Sequence, residues 1–105
     1  MPTVYVINRS SHDFSDAERY GRLEFLTEGS VNRFATANMV RIFADSLKNS
    51  QAEDYILPTG LNIMTVIACV VFALKHKALN LLLFKRVGPK GSYVARNMDF
   101  RFLDE

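Results

Sequence analysis

At 105 residues, with 49% hydrophobic and 23% charged side chains, the sequence describes one globular domain. That composition excludes a disordered chain and a mini-fold that depends on metal or disulfide staples. The net charge of +2 and a pI near 8.9 permit an anionic ligand but lack the concentrated basic face of a duplex-nucleic-acid binder.

Val4-Tyr5-Val6-Ile7 is a β-branched and aromatic run that predicts a buried first strand. An amino terminus of this kind lacks the basic flank and apolar core of a signal peptide. A polar loop follows, and Ser15 with Glu18 three residues on predicts a capping box opening a short helix that Gly21 stops. Arg22 to Thr27 alternates polar and apolar residues, as a half-exposed second strand does. After the turn Glu28-Gly29-Ser30, residues Asn32 to Asn49 predict an amphipathic helix capped by Asn32. Phe34, Ala37, Val40, Phe43, Ala44 and Leu47 recur there at three- and four-residue steps.

Tyr55-Ile56-Leu57 predicts a third strand, broken by Pro58. The stretch Leu61 to Leu74 is apolar but short of the roughly 20 residues of a membrane span, so it reads as a buried helix, with Lys75-His76-Lys77 at the negative end of its dipole. Cys69 lies inside that run, which leaves no disulfide framework or cysteine metal site and fits a reducing, cytoplasmic setting. Leu79 to Phe84 predicts a central strand, Val87 to Gly91 a turn, and Ser92 to Asn97 a returning antiparallel strand. Phe100 to Glu105 is a tail docked through Phe100 and Phe102. Strands separated by helices imply a single layered α/β domain over residues 1–105, with a mixed sheet of about five strands, two main helices and one short helix.

Three polar stretches are candidates for chemistry. Arg9, Ser10, Ser11, His12 and Asp13 follow a strand and precede a helix, where side chains and free backbone N–H groups can hold a phosphate. The same residues can equally be turn and cap donors with a solvated arginine. His12-Asp13 also resembles an acid–base or metal pair, but it lacks further ligands, and the other histidine, His76, sits in a cationic helix end. Pro58-Thr59-Gly60-Leu61-Asn62 again joins strand to helix, and Gly60 allows a ligand close to the backbone while Thr59 or Asn62 meets a sugar or phosphate. It matches neither a P-loop nor a dinucleotide fingerprint. In the carboxyl-terminal arm, Asn80, Arg96, Asn97 and Asp99 could read phosphate, base and ribose, and Tyr93 or Phe100 could stack on a base. No nucleophile, base and orienting group occur as a set, which favours binding over catalysis; neither a cofactor nor a metal is expected.

The stretch Val4-Tyr5-Val6-Ile7-Asn8-Arg9-Ser10-Ser11-His12-Asp13-Phe14-Ser15-Asp16-Ala17 with Tyr20-Gly21 resembles the opening of the phage Thoeris anti-defence sponge family. The likeness continues through Asp54-Tyr55-Ile56-Leu57 and Leu79-Asn80-Leu81-Leu82, over nearly the whole chain. This resemblance implies a phage protein of the host bacterial cytoplasm that sequesters a cyclic ADP-ribose isomer without cleaving it. It also implies a homo-oligomer, a dimer or an assembly of dimers, that can hold cyclic oligonucleotides too. Phe72, Asn80, Arg96 and Asp99 correspond to its pocket residues, although Arg96 and Asp99 stand three apart and Phe72 lies in an apolar helix. An enzyme hydrolysing such a signal through His12 and Asp13, or a protein-interaction domain, remain alternatives on the residues alone.

Overall fold

The computed structural model describes residues 1–104. Five strands form one sheet: β1 (Thr3–Arg9), β2 (Arg22–Glu28), β3 (Tyr55–Leu57), β4 (Ala78–Val87) and β5 (Lys90–Asp99), in the order β2-β1-β3-β4-β5. The first four run parallel and β5 returns antiparallel, so the mixed α/β sheet matches the expected class.

Two helices, α1 (Thr36–Ser46) and α2 (Asn62–His76), cover one face, here the front. There Tyr5, Ile7, Ile56 and Leu79 meet Met39, Phe43, Met64 and Phe72 in one core. The 3-10 segment Ser15–Arg19 crosses the back, packing Phe14 and Ala17 on Val4, Val6, Leu57 and Leu82. Right-handed crossovers require this division, because the chain steps one way from β1 to β2 and the other way afterwards. The back is therefore covered only in part.

The 3-10 segment also guards the sheet edge. Asp16 accepts the Tyr93 N–H at 2.7 Å, while Arg19 and Tyr20 donate to the Tyr93 carbonyl at 2.5 and 2.9 Å. Those are the backbone groups an edge strand would otherwise offer to another chain.

Several local expectations are corrected. Arg9 is the last residue of β1, not a loop residue. Ser15 forms no side-chain cap; the Asp13 carboxylate accepts the Ser15 N–H at 2.9 Å instead. Helix α1 begins at Thr36, because the Asn32 side chain bends the preceding chain by accepting the Phe34 N–H. Phe43 and Leu47 of the expected stripe are buried, together with Met39, whereas Phe34, Ala37, Val40 and Ala44 are exposed, so the inward face only partly coincides with the expected one. Helix α2 is not fully buried either, since Val66, Val70 and Leu74 face outward where no element covers them. Phe100 packs on the front core, but Phe102 is exposed and does not dock.

Strand β4 has neighbours on both sides, but only β5 accompanies it beyond Leu81, so the β4–β5 hairpin projects past the shorter strands. Gly88 enters the left-handed region at φ 63°, which closes the hairpin in two residues rather than the five expected. No described helix is long and apolar enough to cross a membrane.

Candidate functional site

The order of the sheet changes direction between β1 and β3, and in such sheets ligands gather beyond the carboxyl ends of the strands at that point. The crevice itself is narrow, a hollow of about 280 Å³ lined by Asn8, Gly29, Ser30, Gly60 and Met64. Gly60, at φ 88°, comes so close to β1 that a β-carbon would lie 3.0 Å from Cβ of Asn8. The Asn8 amide is spent internally, accepting from Thr27 Oγ1 at 2.9 Å and donating to the Gly29 carbonyl at 3.3 Å. The larger open spaces at this end lie on the back, to either side of the loop that carries His12, Asp13 and Phe14.

On the β2 side is a groove of about 710 Å³ that includes Arg9, Ser10 and His12. Arg9 was the cation expected to hold a phosphate, but it is engaged. Its Nε lies 2.9 Å from a Glu28 carboxylate oxygen, and its guanidinium stacks 3.8 Å from the centre of the Phe25 ring. Ser10 Oγ accepts the His12 N–H, and Ser11 is exposed. The loop is thus largely organised by its own polar groups.

On the β4 side is a more enclosed cleft of about 510 Å³. Its walls include His12 and Thr59 on one side and Phe84, Arg86 and Tyr93 on the other. Phe84, Arg86 and Tyr93 were not among the residues assigned to a pocket, although Tyr93 was noted as a possible stacking residue. Phe84 and Arg86 share the back face because they stand two apart on one strand. Among the described residues, neither Arg86 nor Thr59 takes a hydrogen bond or ion pair from another side chain. An unpaired guanidinium, a hydroxyl and two aromatic rings thus meet in one concavity, the usual mixture of a small-molecule site.

His12 and Asp13 do not act on each other. The His12 ring meets Phe14 edge-on at 6.3 Å between centroids, while the Asp13 carboxylate turns to Ser15. That backbone hydrogen bond from Ser15 holds the Asp13 carboxyl below its ordinary value. Among the described residues, no three His, Cys, Asp or Glu side chains cluster as metal ligands. Cys69 is half-buried in α2, and burial pushes its thiol upward, away from the reactive thiolate.

The carboxyl-terminal candidates are divided between different places. Phe72 is fully buried in the front core against the His76 ring. Asn80 and Asp99 do share a hollow of about 330 Å³, but at the amino ends of the strands, with His76 and Arg101. Asn80 Nδ2 donates to the Ala52 and Asp54 carbonyls at 2.7 and 2.9 Å. Asp99 is gripped by Arg101 from 2.6 Å, and that side-chain hydrogen bond holds its carboxyl down at about 2. Arg96 lies beside Leu81 on the opposite face, exposed, with Nη1 on the Ala95 carbonyl. Arg101 was missed; its only sequence signal was a two-residue spacing from Asp99.

The family model described as Phage Pam3 gp32-like protein matches residues 2–100. No curated protein and no solved structure matches.

Proposed function

The chain belongs to the phage Pam3 gp32-like family, and from that premise we propose that it is a non-catalytic binder of a small nucleotide signal, sequestering a cyclic ADP-ribose isomer. The observation that carries this reading is the cleft in which Arg86, with no protein partner, stands beside the exposed ring of Phe84. A dinucleotide-like ligand offers both features a complement: a phosphate for the guanidinium and a base for the ring. A charge-assisted hydrogen bond is worth about 1.5–3 kcal/mol and stacking about 1–3 kcal/mol. Nanomolar capture needs about 12 kcal/mol, so further contacts from Thr59, His12 or a second copy are part of the proposal.

The absence of cleavage is likewise a proposal, supported by the Asp13 carboxylate being turned to Ser15 and away from His12. The outward row Val66, Val70 and Leu74 supports a homo-oligomer, because contiguous exposed apolar surface is uncommon on monomers. A cyclic oligonucleotide is a second ligand of the same chemistry. Neither duplex nucleic acid nor a membrane is a proposed partner, and the proposed place of action is the cytoplasm of the host bacterium.

The test is direct. Cyclic ADP-ribose is incubated with the protein, the protein is heat-denatured, and the released small molecule is identified by mass spectrometry. Intact ligand, recovered at up to one per site, is expected. A linear or hydrolysed product would make the protein an enzyme, and recovery of no ligand would end the signal-binding reading. Light scattering on the same sample is expected to give a mass of at least a dimer.

A further inference from the structure

Gly91 leaves an unusual gap in β5, and Phe84 of the neighbouring strand fills it. A β-carbon on Gly91 would overlap Cζ of the Phe84 ring and lie 2.6 Å from Cε2 and 2.9 Å from Cε1. The ring therefore lies across the bare backbone of the hairpin, a close approach that only glycine permits. Tyr93, directly opposite Phe84 in the register, meets the same ring edge-on with centroids 5.3 Å apart. Backbone beneath and an aromatic edge beside it set the ring's orientation. Even so, Phe84 is 56% exposed and lines the cleft, so much of the ring remains open to what enters.

Arg86, one step further along the same face, carries the cation. Strand geometry places successive same-face side chains about 7 Å apart. That separation suits a ligand whose ring and anionic group are joined through a sugar. Among the described residues, Lys85, Arg86 and Lys90 take part in no ion pair, so the hairpin's positive charge is available to such a group.

We propose that Phe84, held in place by Gly91, is a stacking platform for the heterocycle of a nucleotide, with its phosphate on Arg86; this rests on reading the cleft as a nucleotide site. Gly91 is then a positioning residue, acting on the ligand only through the ring above it. Orientation by the backbone matters because a freely rotating aromatic side chain would lose entropy on stacking, and a ring already held loses less.

Calorimetry of the full chain with AMP, ribose 5-phosphate and cyclic ADP-ribose tests the idea. Phe84→Ala should weaken AMP roughly 5- to 150-fold, the equivalent of one stacked base, while leaving ribose 5-phosphate binding unchanged. Phe84→Trp should retain AMP binding. Gly91→Ala should weaken AMP like Phe84→Ala, and the double variant should be no weaker than either single one. AMP binding that survives Phe84→Ala intact, or an equal loss of AMP and ribose 5-phosphate, overturns the platform. Cyclic ADP-ribose bound equally by the native protein and Phe84→Ala also overturns it, while the sequestration reading stands. The expected AMP pattern without any binding of cyclic ADP-ribose does the reverse. A native protein that binds neither AMP nor cyclic ADP-ribose overturns both.

Discussion

At the amino ends of β3 and β4, polar side chains are answered by the protein itself; toward the carboxyl ends of the same strands, Arg86 and Thr59 are not. Asp54, buried at the amino end, accepts the Thr3 N–H at 2.9 Å and the Gln51 N–H at 2.8 Å. Asn80 reaches from β4 to tie down the two carbonyls of the same loop, and Asp99 closes on Arg101. No buried side-chain nitrogen or oxygen among the described residues is left without a partner. Unanswered polar groups occur only where water can reach them, and in the back-face cleft they gather beside aromatic rings. Residue type alone does not mark a binding site; a group that folding has left unspent, in a concavity, is the better sign.

The largest break in this comparison comes from removing Asp54. Asp54→Ala strands two backbone donors, Thr3 at the start of β1 and Gln51 in the loop that leads into β3, each worth about 1–3 kcal/mol when left unsatisfied. A loss of about 3–5 kcal/mol is expected, read as a lower midpoint in urea denaturation with an unchanged slope. Asn80→Leu, which orphans the Ala52 and Asp54 carbonyls, should follow at about 1–3 kcal/mol. A midpoint that stays in place for Asp54→Ala would show that the amino end is not held in the way described.

Arg86→Ala sharpens the other half. With no protein partner to lose, the variant should keep the native melting temperature. Its affinity for AMP should fall at least tenfold, the loss of one charge-assisted contact of about 1.5–3 kcal/mol. Salt should weaken the native protein's binding more than the variant's, because the lost interaction is the screened one. Destabilisation without loss of binding would move Arg86 to the structural side of the comparison. Arg9→Ala is the control, since its cation already serves Glu28 and Phe25.

Much of the fold was legible because it depends on local pattern. Val4-Tyr5-Val6-Ile7 and Tyr55-Ile56-Leu57 became strands, and the long apolar run became α2. Strand order was not legible, since pairing β1 with both β2 and β3 is a matter of non-local contacts. The face of α1 was legible in part: Phe43 and Leu47 are inside as expected, but Ala37, Val40 and Ala44 are outside and Met39 is inside, because neighbouring stripes keep the same helical period and period alone does not choose between them. Of the site, His12 and Thr59 could be found as strand-end residues. Phe84 and Arg86 could not, because Phe84 closes a run that reads as continuous core and Arg86 reads as the start of a turn. Parity explains why the pair separates: β5 runs on to Asp99, two residues past the expected end, and within one strand Arg96 and Asp99, three apart, point to opposite faces.

The smallest effect is expected at the exposed end of the amino-terminal hollow. Arg101 holds the Asp99 carboxyl at about 2 through a side-chain hydrogen bond, below the ordinary carboxylate value. A depressed folded-state value means that the pair's contribution is complete above the unfolded value of about 4 and disappears as pH falls through about 2. Nothing about it changes between pH 5 and 8. Arg101→Gln should therefore raise the Asp99 titration, followed by carboxyl-carbon NMR, toward 4 while leaving the melting temperature at pH 7 nearly unchanged, as for other surface pairs. The variant should also bind AMP as the native protein does, because its partner is Asp99 and not the ligand. If AMP binding falls in Arg101→Gln and survives in Arg86→Ala, the amino-end hollow is the nucleotide site. The protein's answering of its own polar groups would then be a closed state that the ligand opens, by taking Arg101 from Asp99.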